Sequence, residues 1–325
     1  MSKPRSEQIS LEATPYYHCV SRCVRRAYLC GDAYEHRRQW VEDKLLVLAE
    51  IFCIDIAAYA VMSNHYHVVL HVDHSQAQTL STKEVITRWH QLFKGNYYSQ
   101  RYILGDTLDT AELKALSDIV DLWRTRLEDI SWFMRLINEG IARQANAEEQ
   151  CTGRFWEGRF KSQALLDEKA LLACMAYVDL NPIRAKMAKT PETSEYTSIK
   201  HRSSIAACSR TPNTIVEQAS QLLPFAGNPK QSMPKGVAAK LTDYLALVDI
   251  TGRAIRENKR GSIDASESPI LERLGLDEAD WLTATQDFEG QFGHIVGGVQ
   301  ALLNSCHQFL YERIPHHFNC SRLLH

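Results

Sequence analysis

Three observations on the chain predict an α+β fold, an antiparallel sheet with helices packed on one face. Short aromatic and β-branched runs at residues 16–22, 55–62, 65–72 and 155–166 read as strands. Segments with apolar residues at helical spacing separate them, giving the order strand, helix, hairpin, helices, strand, helix. That order is neither strict βαβ alternation nor an all-β pattern. Beyond residue 237 only helical periodicity remains, which predicts an α-helical C-terminal extension.

The elements follow in order. Tyr16 to Arg22 is a strand running into a basic turn with Arg22, Arg25 and Arg26. From Ala33 to Phe52, Trp40, Val41, Leu45, Leu48 and Ile51 recur at helical spacing. Asp55–Met62 and His65–Val72 form a hairpin, because Ser63-Asn64 between them is turn chemistry. Lys83 to Tyr98 and Ile119 to Ile141 are packing helices with apolar stripes. Phe155 to Leu166 is a strand rich in aromatic and basic residues. Glu168 to Leu180 is a helix ended or kinked at Asn181-Pro182. Prolines 212, 224, 229 and 234 mark an irregular connection, and Val237 to Val248 and Leu271 to Val299 carry the remaining helices.

With 325 residues the chain is long enough for about two domains. We divide it at residues 1–203, 204–236 as linker or irregular connection, and 237–325 as a helical C-terminal domain. The net charge of -2 gives the whole molecule no pull toward polyanions, so any phosphate contact is local. Nine cysteines, an odd number without a dense framework, read as reduced thiols of a cytosolic protein. The polar start and the lack of a run of ~18 apolar residues predict no signal peptide and no membrane span.

His65-Tyr66-His67 is the first chemical signal, since alternate residues of a strand share a face and two imidazoles there can meet one cation. Thirteen histidines make about half of one such spacing expected by chance, so the motif alone is weak. Tyr177 and Asn181 lie four apart at the end of a helix, on one side of it. A tyrosine there is usually core, and as a nucleophile it needs a base or a metal-polarised electrophile. Arg154-Phe155-Trp156-Glu157-Gly158-Arg159-Phe160-Lys161 alternates aromatic and cationic residues, the chemistry of single-strand binding grooves and equally of a half-buried strand. Arg184, just after Asn181-Pro182, either holds a phosphate or complements a helix end. Cys19, Cys23 and Cys30 with His18 form a weaker zinc candidate, at a spacing no familiar zinc motif has. Arg253, Arg256, Lys259 and Arg260 form a helical basic face.

Taken together, Val61-Met62-Ser63-Asn64-His65-Tyr66-His67-Val68-Val69-Leu70, Gly158-Arg159-Phe160-Lys161-Ser162 and Tyr177-Val178-Asp179-Leu180-Asn181-Pro182-Ile183-Arg184-Ala185 resemble the single-tyrosine HUH transposases. They resemble especially the REP-associated tyrosine transposases of bacteria, over roughly residues 12 to 200. The resemblance implies a ferredoxin-like fold, Mg²⁺ or Mn²⁺ held by His65, His67 and Asn181, and Tyr177 as the nucleophile that forms a 5′-phosphotyrosine link. The expected partner is single-stranded or hairpin DNA, met by Arg22, Arg25, Arg26, Arg154, Phe155, Trp156, Arg159, Lys161 and Arg184. A cytoplasmic, nucleoid-associated protein is expected, with monomer and homodimer both open. The competing readings are a catalytically idle hairpin-DNA-binding regulator and a replication initiator or relaxase using related chemistry.

Overall fold

The computed structural model describes residue 4 and residues 7–227, 234–256, 269–311 and 316–324. Its centre is a five-stranded sheet in the order β2-β3-β1-β4-β5. The strands are β1 (Tyr16–Arg22), β2 (Ile54–Val61), β3 (His65–Val72), β4 (Lys161–Leu165) and β5 (Ile295–Val296). β3 runs antiparallel to both β1 and β2, and β4 antiparallel to β1. The first and second strands therefore point the same way with the third between them, the ferredoxin-like arrangement. β5 adds a short parallel edge, pairing Ala164 with Ile295 and Leu165 with Val296.

Helices fill the connections. α1 (Arg37–Ile51) crosses from β1 to β2. Between β3 and β4 come α2 (His74–Thr79), α3 (Thr82–Leu92), α4 (Tyr97–Leu104), α5 (Thr110–Leu127) and α6 (Ile130–Glu148). After β4 follow α7 (Glu168–Asp179), α8 (Asn181–Arg184), α9 (Ser198–Cys208), α10 (Leu241–Arg256), α11 (Pro269–Leu274), α12 (Glu278–Gln286), α13 (Phe288–Gln291), α14 (Val299–Ser305) and α15 (His317–Leu323). The single helix expected over 119–141 is two, because the Asp129 carboxylate accepts from the backbone amides of Ser131 and Trp132 and starts a new helix. Likewise the stretch 83–98 breaks at Gly95, whose φ of +71° is left-handed.

The α+β class holds, but the helices cover both faces of the sheet rather than the one expected. Residues directly opposite each other in an antiparallel pair share a face. Register places Tyr17, Cys19 and Ser21 with Leu70, Val68 and Tyr66. This face meets α6, where Tyr66 donates to Asn138 Oδ1 at 2.9 Å and Asn138 Nδ2 donates to Ser21 Oγ at 3.0 Å. The other face carries His18, Val20 and Arg22 with Val69, His67 and His65, and meets α7. With both faces covered, β2 is buried along nearly its whole length and shows no clean alternation.

α7 is buried from Ala170 to Asp179 because the sheet lies on one side and α12 on another. Its N-cap Asp167 accepts from Ala170 N at 2.9 Å, and its second oxygen from Gly298 N at 2.6 Å, which ties the helix start to the C-terminal segment. Near its other end Asp179 accepts from Ser198 Oγ at 2.5 Å and Tyr244 Oη at 2.6 Å. Burial pushes its carboxyl up to about 6, against the pull of these donors and of the fully buried Arg202. The irregular stretch after α9 packs on β2, with Leu223 N donating to Ile56 O at 2.8 Å. Pro229 lies outside the described residues.

Asp179→Ala would leave the Tyr244 hydroxyl without its acceptor, strip Ser198 of its shorter hydrogen bond, and leave the buried Arg202 guanidinium without its neighbouring carboxylate. A loss of about 2–4 kcal/mol in urea unfolding is expected; a loss below about 0.5 kcal/mol would show that the cluster does not hold α7 in place.

Candidate active site

The pattern of the hairpin builds the site. Met62 N donates to His65 O at 2.8 Å to close the Ser63-Asn64 turn, so β3 begins at His65 and His67 is its next residue on the same face. The two rings lie 4.8 Å apart, edge to face. The α7 face of β1 brings His18 and Arg22 alongside, and Tyr177 comes down from α7. The Tyr177 ring is 5.6 Å from His67 and 6.1 Å from His18, both edge-on.

The C-terminal segment closes this cluster. Phe288 packs at 5.8 Å from Tyr177 and 6.2 Å from His18. Beside it, Glu289 accepts from Arg22 Nη2 with both oxygens, at 3.0 and 2.8 Å. Glu289 Oε1 also accepts from Tyr177 Oη at 3.3 Å and lies 3.8 Å from His67 Nδ1, too far for a hydrogen bond. Arg184 braces the tyrosine from behind. Its Nη1 donates to Tyr177 O at 2.7 Å and Thr285 O at 2.9 Å, and its guanidinium carbon lies 4.0 Å over the phenol ring.

Burial dominates the ionisation of the cluster. It pushes the Tyr177 phenol up, with the Glu289 carboxylate adding to the effect. Burial lowers His18, and it lowers His67 well below its ordinary range, helped by the neighbouring His65. His65 falls to about 4, through burial first and Arg22 second. All three imidazoles are therefore neutral near pH 7, the state in which an imidazole nitrogen can bind a cation.

Among the buried side-chain polar atoms without a hydrogen-bond partner in the described residues are His67 Nε2, Arg22 Nε and Asn181 Nδ2. An unpaired imidazole nitrogen is costly in an interior and suits a cation that would take its lone pair. The two imidazoles, 4.8 Å apart, could therefore offer ligand nitrogens to a divalent cation, whereas the unpaired atom of Asn181 is its amide nitrogen, a donor that binds no cation. Among the described residues no group of three or more His, Cys, Asp or Glu could hold a metal. A site here would rest on the two imidazoles and a further ligand, and the His18, Cys19, Cys23 and Cys30 set does not assemble.

The expected DNA-binding residues divide. Arg22 and Arg184 belong to the cluster, although Arg22 is paired with Glu289 and Arg184 is spent on carbonyls. Arg25 and Arg26 sit in the turn after β1, both with φ of 54°, and Arg154, Arg159 and Lys161 are exposed. Phe155 and Trp156 are a correction. Both are buried, Trp156 donating Nε1–H to Asn138 O at 2.9 Å and packing edge-on to Tyr66 at 5.5 Å, so neither offers a face to a base. Their aromatic character serves the core beneath the hairpin. Lys259 and Arg260 of the expected basic face lie outside the described residues. The sequence reading missed Glu289, which sits more than a hundred residues from Tyr177 with no motif around it. It also missed the role of His18, which the strand periodicity of residues 16–22 could have placed on the histidine face.

No protein-family model matches the chain, and no curated protein is similar to it. Among solved structures, one described as the REP-associated tyrosine transposase bound to a REP hairpin is similar over 58% of this chain and 78% of that chain. The identity is 13% and the TM-score 0.35, a likeness that carries no argument about this chain. No helix among the described residues is long and apolar enough to cross a membrane.

The depressed His65 gives a pH test. A folded value below the unfolded one near 6.5 means that stability from this group is full above pH 6.5 and is lost as pH falls toward about 4. Proton NMR of the imidazole is expected to show a midpoint near 4; an ordinary midpoint near 6.5 would mean that the ring is not held as described.

Proposed function

We propose that the protein is a metal-dependent DNA strand-transfer enzyme that cleaves and rejoins single-stranded or hairpin DNA through Tyr177. The observation that carries this reading is the meeting of the Tyr177 hydroxyl, two neutral histidines with an unpartnered buried Nε2, and Arg22 on one face of the sheet. A tyrosine, a cation site and an arginine are together what phosphodiester transfer to a phenol needs. The three motifs that resemble single-tyrosine HUH transposases bring the same residues into play.

The residues divide the work. Arg22, on the exit of β1, receives the scissile phosphate and steadies its growing charge. His65 and His67, with Asn181 as the expected third ligand, would hold Mg²⁺ or Mn²⁺, and the ion would supply polarisation of the phosphate. Tyr177 Oη bonds to phosphorus as the bond to the 3′ oxygen breaks. The phenol gives up its proton and the 3′ oxygen gains one, leaving a 5′-phosphotyrosine and a free 3′-hydroxyl. Attack by a second 3′-hydroxyl reverses the step and joins strands, with no outside energy source. Arg184 holds the Tyr177 backbone in place and favours the phenolate. Arg25, Arg26, Arg154, Arg159 and Lys161 supply local positive charge for the strand. Because one guanidinium cannot serve two anions at full strength, a phosphate reaching Arg22 displaces the Glu289 carboxylate.

Incubation with Mn²⁺ and labelled hairpin oligonucleotides, followed by a denaturing gel, tests the reading. A covalent adduct is expected with the wild type and is expected to fall by roughly 10³-fold or more in Tyr177→Phe and His65→Ala, with DNA binding in Tyr177→Phe kept within about threefold. Binding without any adduct under every divalent cation would instead support a catalytically idle hairpin-binding regulator. Glu289→Gln is expected to tighten DNA binding by roughly 3–10-fold, since about 1 kcal/mol of competing ion pair is removed; weaker binding would contradict the displacement.

A further inference from the structure

Two side-chain amides stand behind the histidine pair, and the orientation of each is decided by backbone carbonyls. Gln163 on β4 lies opposite His18 in the sheet. Its nitrogen faces the carbonyl oxygens of Phe292 and Gly293, at 3.3 and 2.8 Å. A carbonyl oxygen can only accept, so this end of the amide is the NH₂ and the other end, facing His18 Nδ1 at 2.8 Å, is the oxygen. That oxygen can only accept in turn, so His18 carries its proton on Nδ1 and presents a bare Nε2. His18 Nε2 meets His67 Nδ1 at 2.9 Å, so His67 must donate from Nδ1. The lone pair of His67 is left on Nε2, the buried atom without a partner.

The same logic runs independently at His65. Asn64 Nδ2 donates to Arg26 O at 3.0 Å, which turns Asn64 Oδ1 toward His65 Nδ1 at 2.6 Å. His65 therefore also carries its proton on Nδ1 and keeps its lone pair on Nε2.

We infer that Asn64, His18 and Gln163 are positioning residues that lock His65 and His67 in the Nδ1–H tautomer, so that both present an Nε2 lone pair to a divalent cation before any cation arrives. The inference rests on the reading of this pair as the cation site of the proposed enzyme and assigns roles to three residues outside the pair. The lock on His67 starts from carbonyls of the C-terminal segment, so that segment takes part in preparing the site. An imidazole free to choose would spend part of its time with a proton on the nitrogen the cation needs, and its ring would turn freely; partners that fix a ligating histidine are typically worth about 10–100-fold in metal affinity.

Nitrogen-15 NMR of histidine-labelled protein without metal reads the tautomer directly, with signals assigned through His65→Gln and His67→Gln. The wild type is expected to show Nδ1–H for both rings. His18→Phe is expected to abolish that preference at His67 only and Asn64→Ala at His65 only, and each is expected to weaken Mn²⁺ binding, followed by electron paramagnetic resonance, by about 10–100-fold. An Nε2–H signal at either ring of the wild type would overturn the inference, as would variants that leave tautomer and Mn²⁺ affinity unchanged. The wild-type spectrum and the Asn64 variant decide the matter even if His18→Phe does not fold. None of these readouts involves DNA, so they can fail while a covalent adduct forms, and hold while none does.

Discussion

The antiparallel pairing of β1 with β3 sets Arg22 opposite His65, Val20 opposite His67 and His18 opposite Val69. A slip of one residue would turn His18 and Arg22 toward α6 and leave His65 and His67 facing α7 without them. The register is held from the other side of the sheet, where Asn138 bonds Tyr66 on β3 and Ser21 on β1 at once. A polar bridge under one face thus fixes which residues meet above the other. β4 extends the same logic by one strand, because its pairing with β1 puts Gln163 beside His18.

The C-terminal segment is joined to this sheet at several levels. β5 pairs with β4, Gly298 N donates to the N-cap of α7, and Phe288 covers the tyrosine and His18. Burial of aromatic surface supplies most of the stabilisation of such a contact, while its few polar bonds give it one geometry. Those bonds reach the chemistry from opposite sides. The Phe292 and Gly293 carbonyls orient Gln163, and the Glu289 carboxylate pairs with Arg22 and accepts from Tyr177. Within the described residues, preparation of His67 and neutralisation of Arg22 come from one short stretch of chain.

Much of this was legible in the sequence. β1 and β3 were read at their observed bounds because their aromatic and β-branched residues are flanked by clear turn chemistry. The alternation His65, His67 put both rings on one face before any fold was known. The face they share was less legible, since α7 is apolar almost all round and its one polar ring, Tyr177, carries no periodic signal. Phe155 and Trp156 misled because alternating aromatic and basic residues suit a DNA groove and a buried strand approach equally well, and burial is a property of the hairpin above them. Glu289 had no local signature. Its contribution comes from a contact across more than a hundred residues, and neither charge nor spacing announces such a contact.

The most direct measurement of the central claim is mass-spectrometric mapping of the residue that carries nucleotide after the protein is incubated with Mn²⁺ and a single-stranded hairpin, then digested with protease. A 5′-phosphorylated nucleotide on the peptide containing Tyr177 is the expected result. Nucleotide on another tyrosine or a serine, or DNA cut with no residue modified, would contradict it.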